Sequence, residues 1–94
     1  MKPFRWSSEK NRILRDQRSL SSFEAVVVAI ESGELLDVAS HPNPTRYPVQ
    51  QILVVRIDGY IHLVPFVERD EYIFLKTIIP SRKATRRYQE AGPP

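Results

Sequence analysis

The chain contains no cysteine, which removes disulfides, thiol nucleophiles and cysteine-based zinc fingers from the functional repertoire. Glycine is scarce: Gly33, Gly59 and Gly92 each sit at a turn or terminus, so there is no glycine-rich loop to cradle a phosphate. The two histidines, His41 and His62, are far apart, and no carboxylate cluster has ligand spacing. The sequence therefore offers no metal centre, and no cofactor is expected. A Gly-x-Ser-x-Gly nucleophile turn is missing too. No apolar run approaches the roughly 20 residues needed to span a bilayer. The opening Met1-Lys2-Pro3-Phe4-Arg5-Trp6 is not followed by the apolar stretch of a signal peptide. A cytoplasmic protein with no membrane partner is expected.

What is present suits one domain over residues 1–94. The chain is 41% hydrophobic, enough for a single core and not for two. The net charge of +3 is unevenly spread. Residues 1–20 carry six Lys/Arg against Glu9 and Asp16, and residues 72–94 carry five against Glu90, or +4 at each end. Residues 21–71 carry three bases against eight acids, or −5. Ends folded side by side would make one basic face, which draws polyanions. The alternative is that these charges only solvate two terminal helices.

Local patterns predict the elements. Residues 8–18 read as a short polar helix capped by Ser7 or Ser8, with Ile13, Leu14, Phe4 and Trp6 holding it. Ser21-Ser22-Phe23-Glu24 is a capping-box pattern. Phe23, Val26, Val27 and Ile30 follow at helical spacing, and Gly33 stops the helix. A short strand over 35–39 leads to a loop with Pro42, Pro44 and Pro48 that cannot be regular. Strands over 51–57 and 60–67 flank Asp58-Gly59, a two-residue hairpin signal. A further strand covers 72–79. Pro65 calls for an edge position or a bulge. The last three strands are apolar on both alternations, so both sheet faces are expected to be covered. Ser81 then caps a helix from Arg82 to about Glu90. The predicted fold is α+β: four antiparallel strands, two N-terminal helices and one C-terminal helix.

The last helix is charged the wrong way round. Arg82 and Lys83 lie in its first turn and Glu90 in its last, against the helix dipole by about 0.3–1 kcal/mol per charge. Arg82 and Arg86 repel at i, i+4, as do Lys83 and Arg87. Either an acid from the middle segment compensates, or the cations form an anion site at the helix start. Lys76 sits in an apolar strand, where it snorkels to an edge or faces a site. His62 is a hydrogen-bonded sheet residue or an acid–base group. His41, Arg46 and Tyr47 share the proline-rich loop, a setting for either function or plain solvation.

Phe4-x-Trp6 followed by Glu9-Lys10-Asn11, then Ser21-Ser22-Phe23-Glu24-Ala25, then Ile79-Pro80-Ser81-Arg82-Lys83-Ala84-Thr85-Arg86-Arg87-Tyr88, resemble, in order, the opening, second-helix and closing motifs of BrnT-type bacterial toxins. The resemblance runs from Phe4 to Tyr88. Ser7 stands where that family often has Asp, Gln17-Arg18-Ser19 replaces its Lys-His-Gly turn, and Pro80-Ser81 replaces its Ser-Ala. The resemblance implies a RelE-like toxin fold, metal-independent ribonuclease activity on RNA, and a cognate antitoxin. Such an antitoxin often carries a ribbon-helix-helix DNA-binding part and holds the toxin in a hetero-oligomer.

In metal-free RNA cleavage the ribose 2′-hydroxyl attacks the adjacent phosphate, so the enzyme must accept a proton and stabilise charge at phosphorus. Arg82 and Arg86 suit the second task, with Lys76 and Lys10 as supporting charges. His62, Tyr47 and Glu68, in that order, are candidates for the first. Arg18, Arg46, Lys83 and Arg87 would bind the nucleic acid. A non-catalytic binding module with the same basic face remains the rival reading, since phosphate affinity needs only cations. A third is a face that merely docks an acidic partner segment.

Overall fold

The computed structural model describes residues 2–17 and 21–91. It is an α+β fold with the elements β1 (Phe4–Trp6), α1 (Ser8–Asp16), α2 (Phe23–Glu31), β2 (Leu35–Ser40), β3 (Gln51–Ile57), β4 (Tyr60–Glu68), β5 (Ile73–Leu75), β6 (Ile79–Pro80) and α3 (Arg82–Ala91). The strands form one mixed sheet in the order β1-β5-β4-β3-β2, with β6 on β4 beside β5.

This corrects the expected four antiparallel strands in two places. Phe4-Arg5-Trp6 is an edge strand, paired in parallel with β5, where only helix-bracing aromatics were expected. Three residues are too few for a periodic signal. The expected strand over 72–79 is broken at residues 76–78. Pro65 accounts for the break. It lies inside β4, opposite Ile52 of β3, and not on an edge strand. Its carbonyl accepts the Lys76 amide at 2.8 Å, so its missing N–H would have faced the same neighbour. The ladder lapses there, Ile78 turns into the core at 3% exposure, and β6 resumes opposite Leu63 and His62.

The β3–β4 hairpin closes on Asp58 (φ 52) and Gly59 (φ 79), the left-handed pair that a two-residue turn requires. Its register pairs Ile57 with Tyr60 and Val55 with His62. Alternation then divides the sheet. Leu53, Val55, Val64, Phe66 and Leu75 join Leu14, Phe23, Val26 and Ala29 in the main core beneath α1 and α2. Ile52, Val54 and Leu63 face the other way and line a groove with Ala84 and Tyr88 of α3. Helices thus cover both faces of the β3–β4 hairpin, as its apolar strands required, but the expected cover on both faces does not extend to β5, whose Phe74 side is half-buried beside the exposed Lys76. The two basic ends meet in part at the sheet edge, where Arg5 of β1 stands opposite Phe74 and Lys76 lies over the same ring, while α1 and α3 pack on opposite faces.

Asn11 joins the first two helices. It is 5% exposed, accepts the Phe23 amide at 2.9 Å and donates to Glu24 at 2.7 Å. Trp6 stacks on Phe23 with centroids 5.6 Å apart. Ser7 caps α1 and Ser22, not Ser21, caps α2 by accepting the Ala25 amide at 3.1 Å. Glu24 therefore serves Asn11 and not a capping box. The hydrogen bond from Asn11 is the main reason the Glu24 carboxyl stays below its ordinary value. Gly33 ends α2 at φ 86, as its position predicted.

Candidate active site

α3 is held to β4 by polar hooks. The Ser81 hydroxyl accepts the Ala84 amide at 3.0 Å and caps the helix. The Ser81 amide donates to the Ile61 carbonyl. Thr85, 7% exposed, accepts the Ile61 amide at 2.8 Å and donates its hydroxyl to the Ser81 carbonyl at 2.7 Å. These bonds fix the start of α3 beside the hairpin end of the sheet. A pocket of about 530 Å³ lies there, lined by Asp58, Tyr60 and His62 of the hairpin, Pro80 and Arg82 at the start of α3, and Ser21 ahead of α2.

His62 is 5% exposed. Its Nδ1 lies 2.9 Å from the Tyr60 carbonyl. A carbonyl only accepts, so Nδ1 carries the proton and donates, which leaves Nε2 with the lone pair in the neutral ring. Burial lowers the His62 pKa, against opposing effects of the Tyr60 carbonyl and the Asp58 charge. The ring is thus neutral at neutral pH and able to accept a proton. Tyr60 packs edge-on to it, 5.7 Å between centroids.

Helical spacing divides the α3 cations. Arg82 lines the His62 pocket, and Arg86, one turn on, lies on the same flank. Lys83 and Arg87 line the opposite groove, of about 490 Å³, over Ile52, Val54 and Leu63. All four are exposed. The first turn holds no acid and the last no base. The compensating acid that a purely structural helix needs is not found: among the described residues the ion pairs are Lys2–Glu68 and Arg56–Glu34.

The other candidates lie elsewhere. Lys76 is exposed, its Nζ 5.5 Å from the Phe74 ring centroid. Tyr47 packs against His41 at 4.4 Å and under Arg46 at 5.5 Å, in the loop after β2. Glu68 pairs with Lys2 at 2.8 Å and stands six residues from His62 along β4, roughly 20 Å at strand rise. Lys10 is half-buried on α1, and Arg18 falls outside the described residues. The structure thus joins His62 to Arg82 and adds Asp58, Tyr60 and Ser21, which sequence reasoning did not place there. Asp58 read only as a turn residue; the hairpin register was the signal that could have brought it to His62. Among the described residues no group of three or more His, Asp or Glu side chains is placed to hold a metal ion, and no helix is long and apolar enough to cross a membrane. No family model, curated protein or solved structure matches the chain.

Proposed function

We propose that this chain is the toxin of a type II toxin–antitoxin pair, a metal-independent ribonuclease with a RelE-like fold that acts on RNA in the cytoplasm. The observation that carries the proposal is the shared pocket of His62, with its Nε2 lone pair, and Arg82. In this reading His62 Nε2 takes the proton from the ribose 2′-hydroxyl as its oxygen attacks phosphorus. Arg82, backed by Arg86, stabilises the extra negative charge on the phosphoryl oxygens. The bond to the 5′-oxygen breaks, that oxygen takes a proton from water, and a 2′,3′-cyclic phosphate remains. The cognate antitoxin, with a ribbon-helix-helix part, would cover the cations of α3 in a hetero-oligomer. Their lack of acidic partners within the described residues supports that expectation.

The test is incubation of purified protein with bare RNA in chelator, beside an Arg82→Ala variant. Cleavage by the parent, reduced roughly 10²–10³-fold in the variant, is expected. Undiminished cleavage by the variant would remove Arg82 from the mechanism. RNA bound but uncut would favour the binding module, which the four unpaired cations of α3 also support. Growth arrest on expression would then decide whether cleavage needs the translating ribosome.

A further inference from the structure

The edge formed by β1 and β5 carries a row of alternating rings and cations that the His62 pocket does not use. Arg5 stands opposite Phe74 in the parallel register, and its guanidinium lies 5.3 Å from the Tyr72 ring centroid. Tyr72 and Phe74 meet edge to face at 6.5 Å. Lys76 closes the row over Phe74 at 5.5 Å. The two rings are half-buried and the two cations exposed. Positions 72, 74 and 76 alternate along the chain, so their side chains share one side of the sheet, whereas Leu75 between them is fully buried in the main core.

We propose that Arg5, Tyr72, Phe74 and Lys76 form a stacking platform for single-stranded RNA, distinct from the His62 pocket. The choice of RNA over other polyanions rests on the ribonuclease reading; the preference for a single strand rests on the row alone. Aromatic faces accept any unpaired base, and neighbouring cations take the phosphates. The rungs are spaced by roughly 6.6 Å along the strand, about twice the 3.4 Å repeat of stacked bases. That spacing suits splayed nucleotides and not a duplex, whose bases are hidden in its stack. At rest, Arg5 and Lys76 lie over the rings; on binding they turn to phosphate and leave the ring faces to the bases. The local acids set the extent of the track. Glu68 is held by Lys2 at 2.8 Å, but Asp70 and Glu71 are exposed beside Tyr72 and repel a backbone at that end. The strand therefore leaves past Lys76, along β4 toward Pro80 and the start of α3, where β6 pairs with His62.

The test is fluorescence anisotropy with the intact protein and a short 2′-O-methyl RNA, single-stranded or as a blunt duplex. This probe has no free 2′-hydroxyl, so it reports binding without cleavage. Tyr72→Leu and Phe74→Leu should each weaken the single strand roughly 5- to 150-fold and change duplex affinity less than about twofold. Arg5→Gln and Lys76→Gln should each lower the slope of log affinity against log salt by about 0.7. Phe74→Tyr, which keeps the ring, should bind like the parent and guards against a folding defect in Phe74→Leu. Leucine variants that bind the single strand like the parent, or lose single strand and duplex alike, would overturn the platform. So would a parent that binds no single strand, or one that prefers a polyglutamate peptide at the same residues, which would make the row a protein-docking face. A parent that binds through the row but cleaves no bare RNA and arrests no growth leaves the platform standing and removes the ribonuclease reading.

Discussion

α2 and α3 face opposite sides of one sheet and are built by opposite rules. α2 has an acid in its first turn and three buried residues, Phe23, Val26 and Ala29. Its leading amides are met by Asn11 and Ser22. Apolar burial favours it, and so does the dipole at its start, although Glu31 closes it with no base in the last turn. α3 is of similar length, yet its only buried side chain among the described residues is Thr85, and polar bonds to Ile61 do the holding. Arg82 and Lys83 oppose its dipole in the first turn, and Arg82 with Arg86 and Lys83 with Arg87 repel one another. The contrast teaches that α2 is held mainly by what it buries. α3 keeps charges that stability would discard, at the rim of a pocket that holds a neutral histidine.

The comparison breaks most sharply at His62. His62→Gln keeps a hydrogen-bonding side chain but no titratable base, so RNA cleavage should fall roughly 10²–10⁴-fold with folding retained by circular dichroism. A smaller loss would deny the pocket its base. The same ring sets the acid limit. Because burial holds its pKa below the ordinary 6.5, the acid limb of the parent's cleavage rate should lie at a lower pH than an ordinary histidine would give. Stability carries the matching sign: below 6.5 the unfolded chain binds this proton first. Urea midpoints should therefore drop as pH falls toward the folded value, and His62→Gln should flatten that drop.

On the α2 side the expected effect is structural. Asn11→Ala removes the acceptor of a buried amide and should cost about 1–3 kcal/mol. For a domain of this size each kcal/mol lowers Tm by roughly 4–8 °C, which calorimetry would read. An unchanged Tm would mean that water replaces the side chain and that Asn11 does not tie the helices.

Much of this was legible in the sequence because local chemistry settles it. Asp58-Gly59 allows one hairpin, Gly33 one helix end, and the apolar run of β3 and β4 cover on both faces of those strands. The capping box does not form because Asn11, remote in sequence, takes up the Glu24 carboxylate and meets the Phe23 amide, while Ser22 and not Ser21 supplies the capping hydroxyl. β1 was missed because its identity lies in its parallel partner β5 and not in three residues of its own. The reversed charge of α3 was plain, and so were His62 and Arg82 as separate candidates. Their meeting depended on the break opposite Pro65, which lets the chain reach His62 through β6. Tyr47 and Lys76 carried suitable chemistry, but chemistry alone does not locate a side chain. One lies in the loop beside His41 and the other above Phe74.

The smallest expected effect has the opposite sign and discriminates best between the two helices. Lys83→Glu places an acid in the first turn of α3 and turns the repulsion with Arg87 into an attraction of the favoured Glu-before-cation order. Without ligand the domain should gain about 1 kcal/mol, a rise in Tm of roughly 4–8 °C. RNA affinity should fall, most steeply at low salt, because one phosphate contact becomes a repulsion. Lys83 lies on the flank away from His62, so cleavage at saturating RNA should change much less than binding. A more stable protein that binds RNA less well is what a helix selected for its ligand predicts. If Tm does not rise, an acid nearby already neutralises Lys83, and the charge argument for an anion site on α3 loses its premise. If Tm rises while RNA binding is untouched, the cations of this flank serve another partner, and the acidic segment of an antitoxin becomes the first occupant to test.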